Sequence, residues 1–145
     1  MTEPEDDGAS AMPILIALGV ALLVLGAVGA AWLFSNKPMS EEVKVGRAAV
    51  GQNDALQRDN YGDFRKYTCA AQQGAEAEVL ERQQKSKTAQ GARYVDDVTA
   101  VKIDGDRASA TVVYHFDHAP DTKIQTPMAF TRENGEWTVC SPGPV

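Results

Sequence analysis

The chain has 145 residues, a formal net charge of −6 at pH 7 and only two cysteines and two histidines. An acidic chain with no cluster of Lys and Arg excludes nucleic acid as a natural partner. So few cysteines and histidines exclude a zinc ribbon or an iron–sulfur centre, and no cofactor motif or metal motif is visible.

Residues 1–12 carry Glu3, Glu5, Asp6 and Asp7 with no base, and are expected to form a disordered acidic tail. From Pro13 to Phe34 the chain then holds no charged residue at all. At 1.5 Å rise per residue, about 20 apolar residues cross a bilayer core of roughly 30 Å. The run therefore predicts a transmembrane helix over 13–35, with Trp32 and Phe34 at headgroup level and Pro13 at its entrance. A cleaved signal peptide is the competing reading, since Val28-Gly29-Ala30 offers small residues. It lacks the basic leader that such a peptide normally has. Small residues four apart (Ala17 and Ala21, Gly26 and Ala30, Ala27 and Ala31) would let two such helices pack as a homodimer, although plain alanine richness explains them equally. Lys37, Lys44 and Arg47 follow the helix and favour a cytoplasmic C-terminal part, whereas a cysteine pair in a small domain favours the oxidising side. The expected arrangement is a single-pass plasma-membrane protein with its C-terminal domain outside the cytoplasm.

After a linker at 36–40, the first half of the domain at 41–145 reads as helices. Ser40 suits an N-cap, and Glu41 and Glu42 suit the positive end of a helix running to about residue 60. A short helix is expected over 63–70 after the break at Asn60-Tyr61-Gly62, and a third over 73–88 with a narrow apolar stripe. The second half reads as strands over 94–103, 108–117, 123–132 and 136–141. Asp104-Gly105 and Asn134-Gly135 mark hairpin turns, and Ala119-Pro120-Asp121 reads as a loop. In the second strand Ala108, Ala110, Val112, Tyr114 and Phe116 share one face. Helices followed by an antiparallel meander predict an α+β domain, its sheet curled around the longest helix.

Asn60-Tyr61-Gly62-Asp63-Phe64 with Cys69, and Asn134-Gly135-Glu136-Trp137-Thr138-Val139-Cys140 behind a membrane helix, resemble small actinobacterial, mycobacterial-type membrane proteins. Their outer domain is similar to the nuclear transport factor 2-like cone, also grouped with cystatin-like folds. The resemblance implies a non-catalytic domain that binds a protein partner in the cell envelope or a small apolar ligand, as an accessory of an envelope or lipid-transport complex. The alternative it implies is a small-pocket enzyme of the ketosteroid isomerase-like cone type, with Tyr67, Tyr94 and Tyr114 as pocket-lining candidates.

Cys69 and Cys140 are expected to form a structural disulfide; free thiols or a redox pair are the alternatives, without a Cys-x-x-Cys to favour them. His115 and Asp117 share a strand face and His118 follows, but two ligands on one strand do not close a metal site, so a solvated outer face is expected. Asp97, Asp104 and Asp106 belong to too short a loop for calcium. No catalytic constellation is visible, and the expectation is that the chain is not an enzyme.

Overall fold

The computed structural model describes Gly26 and residues 38–144. The acidic tail at 1–12 and, apart from Gly26, the membrane helix expected over 13–35 lie outside the described residues. Among the described residues, no helix is long and apolar enough to cross a membrane.

The folded unit is α+β, with three helices followed by four strands. The helices are α1 (Glu41–Gln57), α2 (Tyr61–Lys66) and α3 (Glu76–Gln90). The strands β1 (Arg93–Asp104), β2 (Arg107–Phe116), β3 (Ala119–Glu133) and β4 (Glu136–Val139) form one antiparallel sheet in chain order. Ser40 caps α1 through its hydroxyl, which accepts from Val43 N–H at 3.4 Å. The helix ends three residues before the expected position, because Asp59 turns into the left-handed region at φ 53°. Asn60 then caps α2, its Oδ1 accepting from Asp63 N–H at 2.9 Å, which starts that helix two residues early. Helix α3 begins only at Glu76, after Gly74 at φ 67°, and ends at Gly91 at φ 82°. A Cβ at Gly91 would also fall 2.7 Å from that of Asp117, so glycine is required there on two counts.

Both hairpin turns at Asp104-Gly105-Asp106 and Asn134-Gly135 occur where the sequence puts them, with Gly105 and Gly135 at positive φ. The β2–β3 connection differs. Phe116 pairs with Ala119, so the turn is Asp117-His118, and the expected loop at Ala119-Pro120-Asp121 is the start of β3. The pairing resumes at Tyr114 with Ile124, so 120–123 bulge opposite His115. A bulge accommodates Pro120, which has no N–H to give to a ladder.

The alternation of β2 is realised in full, with Ala108, Ala110, Val112, Tyr114 and Phe116 all buried. They meet Met128 and Phe130 of β3, Trp137 and Val139 of β4, and Val45, Ala48 and Ala49 of α1. The α1 face is made of small side chains, which lets the helix lie close to the sheet. At Gly51 a Cβ would stand 2.6 Å from the Tyr67 ring. The N-terminal turn of α1 is fixed by Glu41, whose Oε2 accepts from Trp137 Nε1 at 2.8 Å and Arg132 Nη2 at 2.5 Å. Hydrogen bonds from Lys44 and Trp137 hold the Glu41 carboxyl below the usual carboxylate range, and the Arg132 guanidinium lies 4.6 Å over the Trp137 ring.

Cys69 and Cys140 are joined by a disulfide. Thr68 makes a parallel bridge to Val139, and Cys69 N–H donates to the Val139 carbonyl at 2.9 Å. The bond thus locks the segment after α2 to the end of β4. Closing a loop of separation 71 contributes about 4 kcal/mol on the chain-entropy account.

Trp137 is 4 % exposed and anchors both the core and α1. Trp137→Ala is expected to cost about 3–5 kcal/mol in chemical unfolding, since it removes a large buried ring. An unchanged unfolding midpoint would refute the assignment.

Candidate ligand-binding cleft

A cleft of about 90 Å³ opens where the helices meet the start of β1. Its apolar wall is Leu56 of α1, Phe64 of α2 and Val79 of α3. Its polar side is Gln52 of α1, Gln72, then Arg82, Gln83 and Ser86 of α3, and Arg93 at the head of β1. Ser141, Pro142 and Gly143 close one edge, as a strap leaving Cys140.

Arg93 organises this end of the domain. Strand alternation turns it inward with Val95, while Tyr94 between them faces out. It is 6 % exposed. Its Nε donates to Asn53 Oδ1 at 2.8 Å, and Asn53 Nδ2 donates back to the Arg93 carbonyl at 2.9 Å. Nη1 donates to the Pro144 carbonyl, and the guanidinium lies 5.2 Å over the Tyr114 ring. Burial pushes the Arg93 guanidinium down from the ordinary arginine range, opposed by Tyr114, and an arginine still stays charged in a folded protein. Gln52 is equally fixed, its Nε2 donating to Thr68 Oγ1 at 2.9 Å.

None of the three tyrosines expected at a pocket lines this cleft. Tyr114 is buried in the core, its hydroxyl against Met128 Sδ at 3.0 Å, and burial pushes its pKa up. Tyr67 packs on Gly51. Tyr94 is 45 % exposed on the far face of the sheet, stacked on the His115 ring with centroids 5.0 Å apart. The residues that do build the cleft, Gln52, Gln83 and Arg93, were not singled out by sequence patterning. The available signal was a charged residue at an inward strand position.

On that far face His115 partners Asp96, not Asp117. Its Nδ1 lies 2.8 and 2.9 Å from the two Asp96 oxygens, and Lys123 Nζ reaches the same carboxylate at 3.0 Å. His118 instead hydrogen-bonds through Nδ1 with the Ala89 carbonyl at 3.1 Å. Among the described residues, no three His, Cys, Asp or Glu side chains converge as a metal site.

No known protein family matches the chain, and no curated protein does. Among solved structures, it is similar to a candidate NTF2-like transpeptidase from Campylobacter jejuni, at 14% identity and TM-score 0.47, over 65% of this chain and 94% of that one. It is also similar to a candidate dehydratase of the NTF2-like family from Streptomyces avermitilis, at 16% identity and TM-score 0.41, over 66% and 88%. Both are NTF2-like domains, as the sequence resemblance implies, and the α+β arrangement itself is read from this chain's own three helices and four-stranded antiparallel sheet. Both carry the names of enzymes, against the expectation that the chain is not an enzyme. At such identities neither activity transfers to this chain.

The Asp96 cluster makes a pH prediction. Hydrogen bonds from His115 first, then Lys123, hold the Asp96 carboxyl below its ordinary value. A depressed folded-state pKa stabilises above the unfolded-state value of about 3.9, and that contribution is lost as pH falls through the folded-state value. The stability gap between the wild type and Asp96→Asn should therefore be full at pH 7 and narrow as pH falls below about 4 in denaturant titrations. A gap that stays constant to pH 2 would assign the effect to something other than the carboxylate charge.

Proposed function

We propose that the domain binds a small amphipathic ligand in the cleft between α1, α3 and the head of β1, and that it does so tethered to a membrane, outside the cytoplasm. The observation that carries the first part is the cleft's two-sided lining. An apolar wall of Leu56, Phe64 and Val79 is joined by polar groups on Gln52, Gln83 and Arg93, of which Gln52 and Arg93 are held by hydrogen bonds. Ligand sites combine these two elements, apolar area for affinity and a few placed polar groups for orientation. The tether is supported by the uncharged run from Pro13 to Phe34. The outward orientation is supported by the Cys69–Cys140 bond, which a reducing cytoplasm would not maintain.

A second reading, a small-pocket cone enzyme, is favoured by Arg93. A fixed positive charge is what a developing oxyanion or enolate needs, and Asn53 already holds this one in place. Both readings use the same cleft and begin with the same binding step.

Two outcomes are expected. In the ¹⁵N-labelled full chain, 1-butanol at millimolar concentration should saturably shift the side-chain amides of Gln52 and Gln83. Val79→Phe, which fills the apolar wall, should abolish those shifts while leaving β2 and β3 resonances in place. Shifts spread over the whole surface would count against the cleft. For the tether, a C-terminal fusion to a phosphatase that works only outside the cytoplasm should be active, and one to a cytoplasmic reporter silent. The reverse pattern would overturn the orientation.

A further inference from the structure

We infer that the cleft is a site for a small carboxylate, gripped end-on by Arg93 in the place now taken by the Pro144 carbonyl of the strap. The inference rests on the proposed ligand-binding role and names its ligand class. The first observation is electrostatic. The chain carries a net charge of −6, yet the residues lining this cleft include two arginines, Arg82 and Arg93, and no Asp or Glu. Among the described residues, neither arginine makes a salt bridge, whereas Arg58 and Arg132 each pair with two carboxylates. Arg93 is 6 % exposed and its partners among the described residues are neutral; burying a cation in this way is costly, and an anion is the partner that removes the cost.

The second observation is geometric. A guanidinium has five N–H donors. Asn53 takes the one on Nε, which fixes the plane of the group and leaves the donors of the Nη1–Nη2 end. That end matches the two oxygens of a carboxylate, the planar fork-to-fork arrangement that lysine cannot make. One donor on it is engaged by the Pro144 carbonyl, a neutral oxygen standing where a carboxylate oxygen would be stronger. The third observation is size and lining. About 90 Å³ is less than the roughly 150 Å³ that holds benzene, so the tail beside the carboxylate is a short aliphatic one against Phe64 and Val79. Gln83, 7 % exposed on α3, supplies a neutral amide on the same wall.

The strap is suited to give way. Its base is fixed at Cys140 by the disulfide, and Ser141 Oγ accepts from Ala129 N–H at 3.0 Å. Beyond that, Pro144 accepts from Arg93 and Gly143 lies against the same guanidinium. A Cβ placed at Gly143 would sit 3.5 Å from Arg93 Nη1, so the strap backbone lies directly on the guanidinium. Ligand and strap compete for the same donor.

The test uses the full chain, ¹⁵N-labelled, titrated with sodium butyrate and with 1-butanol at matched sodium concentration, following Arg93 Nε–Hε and the Gln83 amide. Butyrate should bind about tenfold or more tightly than butanol, because a hydrogen bond to a charged group contributes about 1.5–3 kcal/mol and 1.4 kcal/mol is a factor of ten. Arg93→Gln should remove that preference. A chain shortened after Ser141 should bind butyrate about threefold or more tightly than the full chain, since its competitor is gone, and this variant decides the matter if Arg93→Gln does not fold. Equal binding of butyrate and butanol would overturn the carboxylate assignment and leave the cleft standing as a binding site. Silence of both ligands at Gln52 and Gln83 would overturn the cleft itself. Unchanged or weaker butyrate binding in the shortened chain would overturn the competition with the strap.

Discussion

The close seating of α1 on the sheet is the constraint from which the rest of the domain follows. A helix can approach a sheet only as near as its side chains allow, and here the facing positions are Ala48, Ala49 and Gly46, where a Cβ would stand 3.8 Å from Val98 of β1, with Val45 as the one larger aliphatic. That approach is held from both ends. At the first turn, Glu41 accepts from Trp137 and Arg132, which joins the helix to β3 and β4. Three turns later Asn53 exchanges two hydrogen bonds with Arg93 at the head of β1. The helix therefore ties β1 at one edge of the sheet to β3 and β4 toward the other.

The second tie has a consequence for chemistry. Placing Arg93 inward puts a cation where strand alternation calls for an apolar side chain, and desolvating it is unfavourable. Asn53, the Tyr114 ring and the Pro144 carbonyl, all neutral, recover part of that cost. Arg58, Lys66, Lys87, Lys123 and Arg132 all face carboxylates near the surface. A chain with more acids than bases had carboxylates to spare for Arg93. A buried cation answered by amide and carbonyl oxygens is an arrangement open to exchange with a stronger acceptor.

Much of the architecture was legible because it depends on neighbours in sequence. The inward set Ala108 to Phe116 follows from a period of two, Ser40 and the first-turn acids mark the start of α1, and Asp104-Gly105 and Asn134-Gly135 fix two hairpins by their tolerance of positive φ. The differences have local causes as well. Asn60 reads as a break and acts as a cap; Pro120 reads as a loop and sits in a bulge. The site was another matter. Gln52, Gln83, Arg93 and Ser141 come from four separate segments, and no spacing rule connects them. The resemblance to a small-pocket cone enzyme implies Tyr67, Tyr94 and Tyr114 as pocket lining, and the fold disposes of them otherwise. Parity sends Tyr94 to the outer face, the core takes Tyr114, and the gap left by Gly51 takes Tyr67.

The disulfide joins these two levels. Its loop-closure contribution would be much the same wherever a bond spanned about 70 residues, so stability alone does not explain its position. What is particular to Cys140 is that it is the first residue after β4, four before the carbonyl that caps Arg93. A strand end of only four residues would fray readily, and a frayed β4 would carry Trp137 away from Glu41 and the strap away from the cleft together. Bonding Cys140 to the segment after α2 stops fraying at that point. A displacement of Pro142 to Pro144 would then uncover the cleft while the disulfide and the Ser141 hydrogen bond keep the core in place.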